Sequence, residues 1–211
     1  MLDLQDAGAL NINFVSPTHV ILPILRALRI AVPRGLALPL VYNSNGYENA
    51  GIIGLLDGII DIYLPDIKYA SSRASLKYSN ASDYFEYAGP AVREMSLQQP
   101  VLSVDDSGVA RKGLIVRHLV MPGLSWDSLE ILDWMGANLS PYIGLSLMSQ
   151  YHPCHEAPEE IRRALDPEEY ARVTERAVEL GFKNIFIQPG PFPDGGRLVP
   201  DFRRQEPFRW D

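Results

Sequence analysis

A short apolar segment that carries a carboxylate and an ammonium group constrains the fold of this chain most strongly. Residues 61–69 read DIYLPDIKY, and polar side chains interrupt the segment only at its ends and at Asp66 and Lys68. Short runs of this kind are typical of strands that are buried on both faces in a parallel sheet. Side chains two residues apart on a strand point the same way, so we expect Asp66 and Lys68 to face a common space.

The rest of the chain repeats this order of apolar strand, polar exit loop and helix. The apolar pattern predicts strands at residues 10–15, 36–42, 61–69, 113–121, 142–148 and 184–187. Helical periodicity predicts a helix that ends near residue 31 and further helices over 48–56, 83–98, 127–137 and 166–180. The serine-rich residues 70–82 are predicted to form a loop, and residues 101–112 a small excursion with a turn at 106–108.

Cap signals mark the start of three of these helices. Asp83 and Glu86 have capping-box spacing, and Asp127 with Glu130 is predicted to cap the next helix. Asp166 precedes a proline and two glutamates, which is a typical helix start.

Alternating strands and helices predict an α/β fold with a parallel sheet, specifically a partial (β/α)6 TIM-like barrel. The chain opens partway through a helix, so we expect that a first β/α unit is missing. The first strand would then be an uncovered edge, and we expect self-association or poor solubility. Residues 1–188 are predicted to form the barrel, and residues 189–211 a tail rich in proline, glycine and arginine. In barrels of parallel strands, the carboxyl ends of the strands carry the chemistry.

Composition excludes several classes of function. The net charge of −7 and the pI near 5.1 argue against a nucleic-acid surface, which needs clustered cations. No run of about 18 apolar residues is present, and the first residues lack a basic n-region, so we expect neither a membrane span nor a signal peptide. Cys154 is the single cysteine, which excludes an internal disulfide and favours a reducing, cytoplasmic location.

Asp66 and Lys68 allow two interpretations. They could form an ion pair that holds the barrel mouth, or they could face a ligand, since polar groups within an apolar strand are costly unless paired or used. Lys68 could also form a Schiff base. Asn43 and Asn45 lie in a turn cluster and are interpreted first as turn formers.

Other candidate groups lie on the later strands. Arg117 and His118 are adjacent, so they should face opposite sides of the sheet; an inward arginine suits a carboxylate or phosphate, and an ion pair with a neighbouring strand is the alternative. His152, Cys154 and His155 cluster after the sixth strand, where one histidine could bind a ligand, although their spacing matches no zinc pattern.

Four segments together give the chain a resemblance to a known family. These are VYNSNGYE at 41–48, DIYLPDIKY at 61–69, VRHLVMPG at 116–123 and LMSQYHP at 147–153. In this order and spacing they resemble radical SAM enzymes of the glycyl-radical-activase type, in the pyruvate formate-lyase activating enzyme-like branch. The likeness covers roughly residues 1–187.

This resemblance implies a partial barrel that holds a [4Fe-4S] cluster and S-adenosylmethionine. It implies a reaction in which a 5′-deoxyadenosyl radical abstracts hydrogen from a glycyl-radical-type protein or a small molecule, with an external electron donor. Asp66 and Lys68 match the family's Asp-x-Lys pair and are the expected catalytic residues. The expected S-adenosylmethionine-binding residues are Ser16, Thr18, Asn45, Asp66, Lys68, Arg117 and His152.

The chain departs from the family in two places. The family holds its cluster with three cysteines in a CxxxCxxC loop, whereas this chain has Cys154 alone, so we assign no metal ligand in it. The family's Gly-Gly-Glu at the second strand's exit is replaced by Ser16-Pro17-Thr18, without a carboxylate. We therefore expect the C-terminal portion of a radical SAM protein. The alternatives are a non-catalytic binding or partner protein, or a metal-dependent hydrolase or Schiff-base barrel that uses His118, His152, His155 or Lys68.

Overall fold

The computed structural model describes residues 1–153 and 156–188. The strands are β1 (Ile12–Val15), β2 (Leu40–Ser44), β3 (Ile62–Pro65), β4 (Ser103–Val104), β5 (Ala110–Leu119), β6 (Gly144–Met148) and β7 (Asn184–Ile187). The α-helices are α1 (Leu2–Asp6), α2 (Ile21–Ala31), α3 (Ala50–Gly54), α4 (Ser72–Ser79), α5 (Tyr84–Gln98), α6 (Ser125–Asn138) and α7 (Pro167–Glu179). Short 3₁₀ helices occupy Pro17–Val20, Val32–Arg34 and Glu159–Ile161.

Parallel strands form one sheet in the order β1-β2-β3-β5-β6-β7. The chain thus moves across the sheet in one direction, returning through helices, as a (β/α) arc requires. The short β4 pairs antiparallel with β5 and forms the predicted excursion. The predicted parallel α/β fold is confirmed, with β1 and β7 at the two edges of the described sheet.

The two faces of the sheet differ in burial. One face carries fully buried side chains such as Tyr42, Tyr63, Val116 and Leu145, which join the main core with apolar residues of α3, α5, α6 and α7. Towards the carboxyl ends of the strands, the opposite face carries partly exposed side chains. In the described part of the chain these include Val15, Asn43, Leu64, Asp66, Arg117, Ser146 and Met148. The described helices therefore cover one face and leave the polar half of the other accessible.

The loop prediction for residues 70–82 is wrong, because α4 occupies Ser72–Ser79. Ser71 caps this helix by accepting a hydrogen bond from the amide of Ala74, and Asn80 ends it in the left-handed conformation. Burial of Ala74 and Ser75 fixes the helix against the rest of the fold. Serine at a cap favours a helix start, whereas a serine-rich stretch as a whole is typical of loops, and tertiary packing decides the outcome.

Two of the three predicted caps lack a capping hydrogen bond. Asp83 occupies the predicted N-cap position of α5, but its carboxylate instead accepts a hydrogen bond from the hydroxyl of Tyr47 at 2.7 Å. Asp127 lies in the first turn of α6, where it accepts hydrogen bonds from backbone amides of another loop. Asp166 forms the predicted cap of α7, in a full capping box with Glu169. No helix within residues 1–153 and 156–188 has the length and apolar character needed to cross a bilayer.

Candidate functional site at the carboxyl edge of the sheet

The register of the parallel strands aligns the predicted site residues of β3 and β5. Asp66 follows β3 directly and bridges Arg117 of β5, while Arg117 pairs with Ser146 of β6. Asn43 pairs with Leu64, so it lies on the same face as Asp66 and Arg117. These polar side chains consequently meet on the accessible face, at the carboxyl ends of three neighbouring strands.

Asp66 lies between two cations. Its Oδ1 is 2.7 Å from Nη2 of Arg117, and its Oδ2 is 3.1 Å from Nζ of Lys68. Arg117 also donates a hydrogen bond from Nη2 to Oδ1 of Asn43 at 2.8 Å. Asp66 and Lys68 therefore form the ion pair that the structural interpretation expects. The Lys68 side chain is nevertheless 43% exposed, so it is also accessible to a ligand, as the second interpretation expects. One carboxylate and two cations leave a net positive charge, which suits an anionic group.

The network retains unused hydrogen-bonding capacity. Nε of Arg117 is buried and has no hydrogen-bond partner among the described residues. Oδ1 of Asp66 contacts Arg117 at ion-pair distance, but without the alignment of a hydrogen bond. Buried polar groups are nearly always satisfied in proteins, so each exception needs an explanation, and a bound ligand or water is one.

The exit of β2 passes very close to the exit of β3. Gly46 adopts φ +80°, and a Cβ at this position would overlap the carbonyl oxygen of Asp66. The side chain of Asn45 accepts a hydrogen bond from the amide of Tyr47, which makes it a turn former as predicted. Asn43 is also predicted to be a turn former, yet its side chain accepts a hydrogen bond from Arg117 instead. The alternation of side chains along the strands could have identified Asn43. Asn43 pairs with Leu64, and Leu64 lies two residues before Asp66, so all three face the same side of the sheet.

A carboxylate from the connection between β2 and α3 lies at the exit of β1. Ser16 takes the left-handed conformation with φ 50°, and the hydroxyl of Thr18 donates to Oε1 of Glu48 at 2.6 Å. Glu48 is 3% exposed, and its Oε2 has no hydrogen-bond partner among the described residues. Burial, with Glu48 nearby, raises the pKa of Tyr42 to about 12. Sequence reasoning found no carboxylate at this exit because Glu48 belongs to the following strand–helix connection.

Arg117 and His118 face opposite sides of the sheet, as predicted. His118 is 2% exposed; its Nδ1 lies 2.7 Å from the carbonyl oxygen of Ile67 and its Nε2 lies 2.9 Å from the hydroxyl of Ser128. Burial lowers the pKa of His118. His118 therefore lies on the helix-covered face, whereas the Lys68 side chain is 43% exposed.

The remaining predicted residues lie at the same edge but on other strands. Ser16 and Thr18 follow β1, two strands from β3 in the sheet order, and exposed His152 follows β6, two strands from β3 on the other side. Cys154 and His155 lie outside the described residues. In the described part of the chain, no group of three histidine, cysteine, aspartate or glutamate side chains could hold a metal ion.

Sequence comparison relates the chain to an uncharacterized protein. No known family's sequence model matches the chain. The chain is 33% identical over 181 residues to an uncharacterized protein of Methanocaldococcus jannaschii, an alignment that covers 83% of this chain and 48% of that protein. The chain thus spans about half the length of the curated relative that it matches.

A solved structure shares the architecture. The crystal structure of a domain of pyruvate-formate lyase-activating enzyme from Bacteroides vulgatus superposes with a TM-score of 0.59 at 10% sequence identity. The match covers 85% of this chain and 99% of that domain. At this identity the likeness establishes the fold: this chain has the α/β architecture of an activating-enzyme domain, as the sequence resemblance predicted.

Proposed function

We propose that this chain forms the S-adenosylmethionine-binding and substrate-facing part of a radical SAM protein of the glycyl-radical-activase type. The observation that carries the proposal is the polar network of Asn43, Asp66, Lys68 and Arg117 on the accessible face of the sheet. It lies at the carboxyl ends of parallel strands, where α/β proteins bind ligands. The fold and the four sequence segments agree with this assignment.

The charges of the network match the two ends of an amino acid. Arg117 and Lys68 supply cationic donors for the α-carboxylate of the methionine moiety, and Asp66 supplies an acceptor for its ammonium group. Nε of Arg117, buried and without a partner in the described residues, is a donor that such a carboxylate would satisfy. Asp66 and Lys68 are the proposed catalytic pair, while Ser16, Thr18, Asn45 and His152 are proposed to line the rest of the site.

A [4Fe-4S] cluster does not fit the residues of this chain. Such clusters are held by several thiolates, and the sequence contains Cys154 alone. We therefore assign to this chain the binding of S-adenosylmethionine and of the molecule from which hydrogen is taken, and we derive no step through a cluster. The target is a glycyl-radical-type protein or a small molecule, and an electron donor is the further partner.

Calorimetric titration of S-adenosylmethionine into the purified chain tests the proposal. We expect binding with a Kd of about 1 mM or tighter, weakened at least about tenfold by Lys68→Met and by Asp66→Asn. Lys77→Met is the matched control, because the Lys77 side chain has a similar exposure, 49% against 43%, and also pairs with an acid, Glu160. No heat of binding, or equal weakening by all three variants, would refute the proposal.

A second candidate is a non-catalytic binding or partner protein derived from this family. The single cysteine favours it, because one thiolate cannot hold a cluster. Reconstitution of the chain with iron and sulfide tests the observation on which the second candidate rests. Both candidates expect no cluster spectrum from this chain, whereas a stable [4Fe-4S] spectrum would contradict the second candidate.

A further inference from the structure

We propose that Tyr84 is a positioning residue that locks the exit loops of β2 and β3 together and thereby presents Asn45, Asp66 and Lys68 to one ligand. The identity of that ligand rests on the function proposed above. Tyr84 is the first residue of α5 and is only 4% exposed. Because it is buried, we expect it to act through the backbone of the site residues and not by contact with the ligand.

A single hydroxyl group contacts the backbone of all three residues. The amide of Lys68 donates to the Tyr84 oxygen at 3.0 Å. The Tyr84 O–H faces two acceptors, the carbonyl oxygens of Asn45 at 2.9 Å and of Asp66 at 3.1 Å. The hydroxyl thus uses both its donor and its acceptor capacity, and it fixes the distance between two loops that belong to different strands.

The lock is needed because β3 loses its sheet partners at this point. The last sheet-type hydrogen bonds of the segment are those from the amide of Asp66 to Ser44 and from the amide of Ile67 to Arg117. Beyond them, side chains form the hydrogen bonds to the backbone groups of residues 67, 68, 70 and 71. Tyr84 binds Lys68, His118 binds the carbonyl of Ile67, and Asp127 binds the amides of Ala70 and Ser71.

Tyr84 is distinguished from His118 and Asp127 because it alone in this set reaches the β2 exit as well. The same contact explains why residue 46 is a glycine. A Cβ at this position would overlap the carbonyl oxygen of Asp66 and would lie 3.1 Å from the Tyr84 hydroxyl. The two loops are therefore packed to contact around this hydroxyl. A small shift of one loop would separate Asn45 from Lys68.

The aromatic surroundings allow a clean test. Tyr84 stacks on Tyr47 at 5.9 Å and meets Tyr69 edge-on at 5.8 Å, so a phenylalanine ring at position 84 would keep its packing. Tyr69 is also 4% exposed, but its hydroxyl bonds to Ser79 on α4, away from the exit loops. Tyr69→Phe is therefore a control that removes one buried hydroxyl from the same aromatic cluster.

The experiment measures two quantities in the wild-type chain, Tyr84→Phe and Tyr69→Phe. The first is the Kd for S-adenosylmethionine by calorimetry, and the second is amide hydrogen exchange at residues 45–47 and 66–69. We expect Tyr84→Phe to raise the Kd about tenfold, which is about 1.4 kcal/mol, and to speed exchange at Lys68. Tyr69→Phe should change neither by more than about twofold, although it also removes a buried hydroxyl that makes a hydrogen bond.

Equal effects of the two variants on Kd and exchange would show a merely structural role for Tyr84 and overturn the proposal. Unchanged exchange at Lys68 in Tyr84→Phe would also overturn it. If the wild-type chain binds no S-adenosylmethionine while Tyr84→Phe alone speeds loop exchange, the proposed function fails and the positioning role of Tyr84 stands.

Discussion

Replacing Gly46 by alanine tests the close approach of the β2 and β3 exit loops. Two costs add at this position. A residue with a Cβ in the left-handed region costs about 1–2 kcal/mol. The new methyl group would overlap the backbone carbonyl of Asp66, which cannot rotate away as a side chain can, and overpacking of this kind costs about 1–3 kcal/mol more. We expect Gly46→Ala to lower the free energy of unfolding by about 2–5 kcal/mol in total.

Gly58→Ala isolates the contact from the backbone strain. Gly58 has a similar φ of +71°, but a Cβ there would meet nothing within 4 Å, so only the cost of about 1–2 kcal/mol applies. Urea unfolding followed by tryptophan fluorescence measures both variants against the wild-type chain. Equal losses of stability in the two variants would refute the close approach of the loops, and with it the geometry of the site.

The remaining predictions concern pH and one buried carboxylate. Because burial lowers the pKa of His118, the unfolded chain binds its proton more tightly, so we expect wild-type stability to fall as the pH drops below about 6.5. Urea midpoints between pH 7 and 5 should show a smaller fall in His118→Asn; parallel curves would contradict this. The pKa of Glu169 is lowered, chiefly by hydrogen bonds from Arg163, so its contribution is present at neutral pH and is lost as the pH falls through that lowered value. We expect Glu169→Gln to cost about 1–3 kcal/mol at pH 7 and progressively less in acid; a pH-independent difference would count against it.

Much of the fold was predictable because the strand signals are local and strong. Each of the six long strands lies within or close to its predicted segment, and the buried face of DIYLPDIKY explains why apolar residues dominate there. The errors in the predicted caps arose where a carboxylate binds a residue of another element. Asp127 reads as a cap for its own helix, but its carboxylate binds Ala70 and Ser71, 57 and 56 residues away. A partner at that separation leaves no periodic trace in the sequence.

The charged residues of the candidate site were predictable from the sequence, but the residues that bind and position them were not. Asp66, Lys68 and Arg117 were identified as polar residues inside apolar strands, and the parallel register brings them together. Asn43, Glu48 and Tyr84 were missed as site residues, because asparagine and glutamate are ordinary in loops and tyrosine is ordinary on an apolar helix face. Only the packing of neighbouring exit loops reveals what their polar atoms contact.

A titration of the ¹⁵N-labelled chain with S-adenosylmethionine, followed by amide chemical shifts, tests the proposed binding site most directly. We expect the amides of Asn45, Gly46, Asp66, Lys68 and Arg117 to shift together and saturate with one Kd, because these residues are proposed to surround a single ligand. Shifts confined to a distant surface such as that of Thr174 and Val178, or no shifts at millimolar ligand, would contradict it.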